Sequence, residues 1–361
     1  MTMNADMPLP PVQKALQINL HPFDAPHAAL TLPHQLRVWG GQVDRILLTV
    51  DTGQVGAGRY KGNGFDSARQ RLFDMLDEMQ INYPHLHVDI VDYSEAARGA
   101  VTQTFFSRSP IPYPAKAFDG GPFHVYFHGL KRANARYVLH MDSDMMFGGG
   151  SQSWFSEAVA LQKANPDALC ITPFSGPPTV RGDLDVARHV GMPGVKNIPA
   201  PRKLPSRIPT WRFATVSTRL FMIDMDRFSK RIGSLELLRP DVKRRIRSYA
   251  YNQQPVSMPA EEVLSTNMMR VGVHRLDFLG TGKGMYSLHP PYRSPEFYAA
   301  LPSIVERIEK GDIPEGQLGD FDINGSMVDW GSALAAKTRS KRYAKALRHL
   351  ISANAGRFGK A

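Results

Sequence analysis

Short apolar runs alternate along this chain with segments whose apolar residues recur at helical spacing. "ALQINLHPF" (15–23) predicts a first strand closed by Pro22. "HAALTLPHQLRVWGG" (27–41) predicts a helix ending at Gly40 and Gly41, its start shortened by Pro33. "DRILLTVDTG" (44–53) is an apolar run stopped by glycine, a buried second strand. In "DSARQRLFDMLDEMQ" (66–80), Leu72, Met75, Leu76 and Met79 share one helical face, with Asp66 or Ser67 as N-cap. "HVDIVDYS" (87–94) predicts the third strand, "PFHVYFHGLKRA" (122–133) a helix and "RYVLHM" (136–141) the fourth strand. Strand and helix in alternation imply parallel strands, right-handed crossovers and helices on both faces.

The fourth strand runs straight into "DSDMMFGGG" (142–150). In extended chain, residues i and i+2 point the same way, so Asp142 and Asp144 present two carboxylates to one side. That pair suits a hard divalent cation such as Mg2+ or Mn2+, which prefers oxygen ligands and is often shared with a substrate phosphate. The competing reading is a pair of turn-forming aspartates. Ligands of open α/β sheets bind beyond the carboxyl ends of the strands, and Asp51, Asp142 and Asp144 all fall there.

Composition is ordinary for a globular protein, at 42% hydrophobic and 21% charged over 361 residues. The single cysteine, Cys170 in "DALCITPF", excludes an intramolecular disulfide and reads as a buried thiol in a reducing compartment. Neither a signal peptide nor an apolar run near the ~18 residues of a membrane span is evident, so a cytoplasmic protein is expected. The formal charge of +11 favours anionic partners, and much of it sits in "RPDVKRRIRSY" (239–249) and "AAKTRSKRYAKALRHL" (335–350). A basic nucleic-acid-binding protein would explain the charge. It would also need a nucleic-acid module or a repeated basic and aromatic pattern, and neither is present. The Pro-rich, basic piece "GMPGVKNIPAPRKLPSRIPTW" (191–211) reads as a long surface excursion.

"GLKRANARYVLHMDSD" (129–144) resembles the GT-A glycosyltransferases, most closely the family-2-like, inverting branch whose pattern is an apolar strand ending in two aspartates. Gly129, Leu130, Ala133, Tyr137, Val138 and both aspartates match in register, and the resemblance spans about residues 15 to 290 through a few short motifs. One departure is Phe127, where the family usually carries Asn. The resemblance implies a GT-A, Rossmann-like fold: a mostly parallel sheet flanked by helices, a mixed acceptor-binding half and a helical C-terminal tail. It implies three parts: 1–150, holding the nucleotide-sugar; 151–315, holding the acceptor and the base within the same domain; and 316–361, a basic helical tail.

By the same resemblance, Asp142 and Asp144 hold Mn2+ or Mg2+ against the diphosphate of a nucleotide-sugar, a UDP-sugar by preference. Asp51 contacts the nucleoside or else caps the turn before Gly53, and Phe23 lines the base pocket. "MPAEEVLSTNMMRVG" (258–272) looks like the helix that begins with the catalytic base, with Glu262 the first choice and Glu261 its orienter or substitute. Acidic residues also favour a first helical turn because of the macrodipole. In "LGTGKGMYSLHPPYRS" (279–294), alternating glycines let a loop close on the diphosphate with Lys283, and His289 completes the metal site or serves as a structural hydrogen-bonder. His124, His128 and His140 are read as structural.

The activity implied is transfer of a sugar to a hydroxyl of a glycan or lipid-linked acceptor. The nearest enzymatic rivals are a retaining glycosyltransferase and a sugar-phosphate nucleotidyltransferase, the latter disfavoured because "HPFDAPHAAL" follows the first strand where a Gly-rich phosphate loop is expected. From Leu334 onward, Tyr343, Leu347, Leu350 and Ile351 gather on one side of a helix among Lys337, Arg339, Lys341, Arg342, Lys345 and Arg348. Such a helix lies peripherally on an anionic membrane surface, here the inner face, or docks on the catalytic domain.

Overall fold

The computed structural model describes residues 9–53, 64–188, 192, 195–250, 254 and 256–339. The first half runs β1 (Val12–Leu20), α1 (Ala25–Trp39), β2 (Arg45–Val50), α2 (Phe65–Asn82), β3 (Leu86–Ile90), α3 (Glu95–Phe105), α4 (His124–Arg132), β4 (Ala135–Asp142) and β5 (Met146–Gly148). Then come α5 (Trp154–Ala164), β6 (Ala168–Thr172), β7 (Phe174–Ser175), β8 (Arg202–Lys203), β9 (Thr210–Phe213), β10 (Leu220–Asp224) and α6 (Met225–Arg231). The chain continues through α7 (Val242–Ala250), α8 (Ala260–Val271), β11 (His274–Phe278), β12 (Tyr286–Leu288) and α9 (Pro295–Lys310), with helix again at 331–339.

One sheet, ordered β3-β2-β1-β4-β10-β6-β11-β9-β8, crosses both halves of the chain. Its first four strands are parallel, as the alternation requires. β10 then enters antiparallel between β4 and β6, and β9 runs antiparallel to β11, so the second half is mixed. A smaller sheet, β5-β12-β7, ties the segment after the aspartates to the second half.

Because adjacent strand residues face opposite ways, Ala15, Leu47, Val138 and Ile223 pack with α3, α4, α6 and α8 on one face. Leu16, Ile18, Ile46 and Leu48 pack with α1, α2 and α5 on the other. Cys170 is buried in the first of these cores, where desolvation pushes its thiol up to about 12, an inert hydrophobic residue.

Three local outcomes differ from the sequence expectations. Helix α1 begins at Ala25 with a proline in its first turn and runs through Pro33, because the carbonyl that Pro33 leaves without a donor belongs to exposed Ala29 and can be hydrated. Helix α3 was not expected; Ser94 Oγ caps it by accepting from Ala97 N–H at 3.2 Å, and Val101 and Phe105 bury its inner side. Within 191–211, β8 and the start of β9 form an antiparallel edge on the main sheet rather than a purely irregular excursion. Residues 340–361, and with them most of the expected amphipathic tail, lie outside the described residues.

Gly129 shows why α4 can sit so close to the sheet. A Cβ there would lie 2.5 Å from Gln17 Nε2 and 3.1 Å from Thr49 Oγ1, two buried groups hydrogen-bonded to each other at 2.9 Å. Gly129→Ala should therefore destabilise by about 1–3 kcal/mol through overpacking, measurable as a lower urea midpoint with an unchanged slope.

Candidate functional site

The aspartates lie at the end of β4 and in the turn after it, where α1 grips the carbonyls of Asp142, Ser143 and Met145. Thr31 Oγ1 donates to the Ser143 carbonyl at 2.6 Å, and Gln35 Nε2 lies 3.2 Å from the Asp142 carbonyl, 3.3 Å from that of Ser143 and 2.8 Å from that of Met145. One turn earlier, His27 Nε2 is 3.0 Å from Ser143 Oγ. His27, Thr31 and Gln35 are spaced four apart and are all fully buried, a polar stripe inside an otherwise apolar face. His34, also buried, accepts from Phe147 N–H at 2.9 Å, with its other ring nitrogen 2.8 Å from Glu309 Oε1.

The two carboxylates have different surroundings. Asp142 retains about a quarter of its side-chain exposure, whereas Asp144 keeps 4%. Burial and the neighbouring Asp144 charge push the Asp142 carboxyl above the usual range. Burial acts on Asp144 in the same direction, but the Arg293 guanidinium and the His289 and His27 imidazoles outweigh it and hold that carboxyl low. Arg293 is the main counter-charge: Nη2 and Nε donate to Asp144 Oδ2 at 2.6 and 3.0 Å, and Nη1 donates to Asp24 Oδ1 at 2.7 Å.

His289 comes to the same place. Its ring stacks on Phe321, Nδ1 lies 3.0 Å from Asp322 Oδ1, and Nε2 faces Asp144 Oδ2 at 3.7 Å. A proton on Nδ1 directed at Asp322 leaves the Nε2 lone pair toward Asp144, the arrangement of a metal-ligating histidine oriented by a carboxylate. Two carboxylates suit Mn2+ or Mg2+, and an imidazole beside them favours Mn2+ over the harder, oxygen-seeking Mg2+. Among the described residues, no three His, Cys, Asp or Glu side chains are already gathered around a common point, and the positive charge now beside Asp144 is that of Arg293.

A cleft opens beside Asp142, lined among others by Asn19, His21, Asp24, Asp51, Lys116 and Arg293. Asp51 both caps and pairs: Oδ1 accepts from Gly53 N–H at 2.9 Å, and Oδ2 accepts from Lys116 Nζ at 2.5 Å. Two expected donor-binding residues are not in the lining. Phe23 turns to its neighbours His21 and Phe65, with ring centroids 5.6 and 6.0 Å away. Lys283 is exposed on a loop whose glycines serve packing: a Cβ on Gly284 would lie 2.6 Å from Leu279 Cδ1 and one on Gly280 2.9 Å from Trp154 Cδ1, and Thr281 bonds to Glu157 of α5. His124, His128 and His140 are buried within the fold; His128 Nε2 lies 2.7 Å from Asp89, and burial lowers His140 to about 3.

The adjacent glutamates of α8 divide cleanly. Glu261 Oε2 accepts from Ser217 Oγ at 2.9 Å and from Thr218 N–H at 3.0 Å, anchoring the segment that leads into β10. The next carbonyl, that of Arg219, accepts from Asp142 N–H at 2.9 Å. Glu262 is 8% exposed, and its Oε2 is buried without a hydrogen-bond partner. Burial pushes its carboxyl up to about 7; Arg244 pulls against this, and the charges of Glu261, Asp119 and Asp241 add to it. A buried carboxyl poised near neutrality at the same end of the sheet as Asp142 is equipped to take a proton.

Sequence reading had located both aspartates, His289, Asp51 and the glutamate pair, but not Arg293, Lys116, His21, Asp24, Asp322 or the α1 stripe. A signal existed for the stripe: "HAALTLPHQ" places His27, Thr31, His34 and Gln35 on one helical face.

No family model matches the chain, and no curated protein is similar to it. Solved structures to which it is similar include GalNAc-T7 with UDP, GalNAc and Mn2+, at 13% identity and a TM-score of 0.43, covering 81% of this chain and 48% of that one. The mannosyltransferase PcManGT from Pyrobaculum calidifontis, in complex with GDP-Man and Mn2+, is similar at 10% identity and a TM-score of 0.39, covering 84% of this chain and 65% of that one. TarS 1-349 from S. aureus, in complex with UDP-GlcNAc, is similar at 13% identity and 0.36, covering 84% and 69%. The chain thus spans about half the length of the first of these and just under two thirds of the second. Similarity at this distance does not carry an activity across, so function follows from the site's own residues.

Two measurements probe the site without assuming a reaction. Glu262 is protonated more readily folded than unfolded, so it costs stability above pH 7, less between 7 and its ordinary value near 4.5, and nothing below that. Glu262→Gln should therefore raise Tm at pH 8 and lose that gain at pH 4, whereas Glu261→Gln, which weakens the clamp on Ser217 and Thr218, should lower Tm at pH 8. Separately, Arg293→Met should cost about 3 kcal/mol by stranding Asp144 and Asp24. Mn2+ should restore part of that loss and raise the Tm of the variant more than that of the parent protein. Equal Mn2+ shifts would show that no cation site lies at Asp144.

Proposed function

We propose that the chain is a metal-dependent glycosyltransferase of the GT-A kind, moving a sugar from a nucleotide-sugar, a UDP-sugar by preference, to a hydroxyl acceptor with inversion. The observation that carries this reading is Glu262: a buried carboxyl near neutral pKa, without a partner for Oε2, linked through Glu261, Thr218 and Arg219 to the Asp142 backbone. The sequence resemblance around Asp142 and Asp144 supplies the donor class.

In this reading, the cleft beside Asp142 takes the donor, with Asp51, Lys116 and His21 around the nucleoside end. Asp142, Asp144 and His289 would hold Mn2+ or Mg2+. Bound there, the cation offsets charge developing on the leaving diphosphate. Glu262 takes the proton of the acceptor hydroxyl as its oxygen attacks the anomeric carbon on the face opposite the leaving nucleotide, so the carbon–oxygen bond to the diphosphate breaks with inversion. A base positioned in this way contributes roughly 10²–10⁴-fold.

The test is donor hydrolysis and transfer with a panel of UDP-, GDP- and dTDP-sugars and Mn2+. Asp144→Asn should abolish cation-dependent turnover while remaining folded, and Asp142→Asn should weaken nucleotide binding more with Mn2+ than without it. Glu262→Gln should lower kcat by about 100-fold with donor binding unchanged, and kcat/KM of the parent should rise with pH through about 7. Turnover that survives chelation of divalent cations, or retention at the anomeric carbon by NMR, would reject the mechanism.

A further inference from the structure

Helix α7 faces the wrong way for a helix that merely covers a core. Its buried residue is Ser248, fully enclosed, with Arg244 half-buried one turn before it. At 100° per residue these two mark the side toward the protein. Val242, Ile246 and Tyr249 fall within a narrow arc on the opposite side, and their exposures are 70%, 67% and 69%. A surface helix ordinarily turns its apolar stripe inward and its charges outward. Here the stripe points to solvent, with Lys243 and Arg247 along one flank and Arg245 along the other.

The orientation is held by local bonds. Asp241 caps the helix by accepting from Arg244 N–H at 2.8 Å and pairs with the same residue's guanidinium at 2.9 Å, while Ser248 Oγ donates to the Arg245 carbonyl at 2.7 Å. An outward apolar stripe bordered by basic side chains is the chemistry of a helix lying in a membrane interface, the apolar residues entering the acyl boundary and the cations meeting anionic headgroups. A protein partner would have to supply both an apolar groove and two acidic rims at the spacing of one helix; an anionic bilayer supplies both anywhere on its surface.

We infer that α7 is a membrane-docking element that rests Val242, Ile246 and Tyr249 on an anionic lipid surface. The docking stands independently of the catalytic reading. Its consequence for the acceptor rests on that reading: Arg244, on the inner side of α7, acts on the charge of Glu262, so the base lies on the protein side of the docked helix and an acceptor presented by the membrane is favoured.

The test uses the full-length protein and sedimentation with vesicles of phosphatidylcholine containing phosphatidylglycerol, against phosphatidylcholine alone. The protein should bind the anionic vesicles, be released by high salt, and bind neutral ones poorly. The double variant Ile246→Glu, Tyr249→Glu should bind anionic vesicles at least about tenfold more weakly, with unchanged circular dichroism, Tm and donor hydrolysis. A second full-length variant, with Lys341, Arg342, Lys345 and Arg348 changed to Gln, should still bind in a manner that the double variant abolishes. The inference is overturned if the parent does not bind, if it binds neutral vesicles equally, if the double variant binds like the parent, or if the tail substitutions alone remove all binding. Failure of donor hydrolysis throughout would reject the glycosyltransferase reading and leave the docking result standing.

Discussion

The grip of α1 on the turn after β4 is the constraint around which the site is organised. Two aspartates that end a strand are free to fray into solvent unless their backbone is held, and here Thr31 and Gln35 hold the carbonyls of Asp142, Ser143 and Met145 from one side. Burying two polar side chains and an imidazole on a core-facing helix is costly unless each finds a partner. The hydroxyl and amide find theirs in the turn, and His27 in the Ser143 hydroxyl, so core packing of α1 and placement of the carboxylates are one event. Loosening that face would move Asp142 and Asp144 together, before any change in their own side chains.

The second half of the chain reaches the same point through β10. Had that strand run parallel to β4, its start would lie at the far end of the sheet. Antiparallel, it begins beside the end of β4, so Arg219 accepts from Asp142 N–H and the residues before it meet the first turn of α8. The change from a parallel to a mixed sheet is thus what brings a glutamate from residue 262 to the end of a strand that closes at residue 142. The small sheet does similar work on the other side: β12 pairs with β5, and the chain that leaves β12 supplies His289 and Arg293 to Asp144.

Much of this was legible from local pattern. Apolar runs and helical spacing located β1, α1, β2, α2, β3, α4 and β4, because each buries a face whose periodicity is written in the residues themselves. Asp142, Asp144 and the Glu261–Glu262 pair were legible because short motifs carry them. The residues that escaped do their work through partners distant in sequence. Arg293 is unremarkable in "HPPYRS" until it lies between Asp24 and Asp144, and Lys116 is one lysine among many until it meets Asp51. The glycine loop has a packing account that its sequence hides: a Cβ on Gly284, at φ +73°, would lie 2.6 Å from Leu279 Cδ1, and one on Gly280, at φ +84°, would lie 2.9 Å from Trp154 Cδ1, a contact between segments more than a hundred residues apart. Helix α3 escaped because "EAARGAVTQTF" has only two strongly buried positions, too few to announce a period.

The two glutamates of α8 show where a general helical explanation ends. Acidic residues are favoured in the first turn of any helix by the exposed N–H groups and the macrodipole, and Glu261 needs little more, since it also clamps Ser217 and Thr218. That account does not extend to Glu262. A first-turn carboxylate stabilised by the dipole gains from staying ionised, whereas Glu262 is buried, leaves an oxygen without a partner and is shifted toward its neutral form, all of which oppose the folded state at neutral pH. An alanine or glutamine would relieve that strain. A group that costs stability where it stands, beside a neighbour of the same type that does not, has no account in the fold, and the proposed role as a base would supply one.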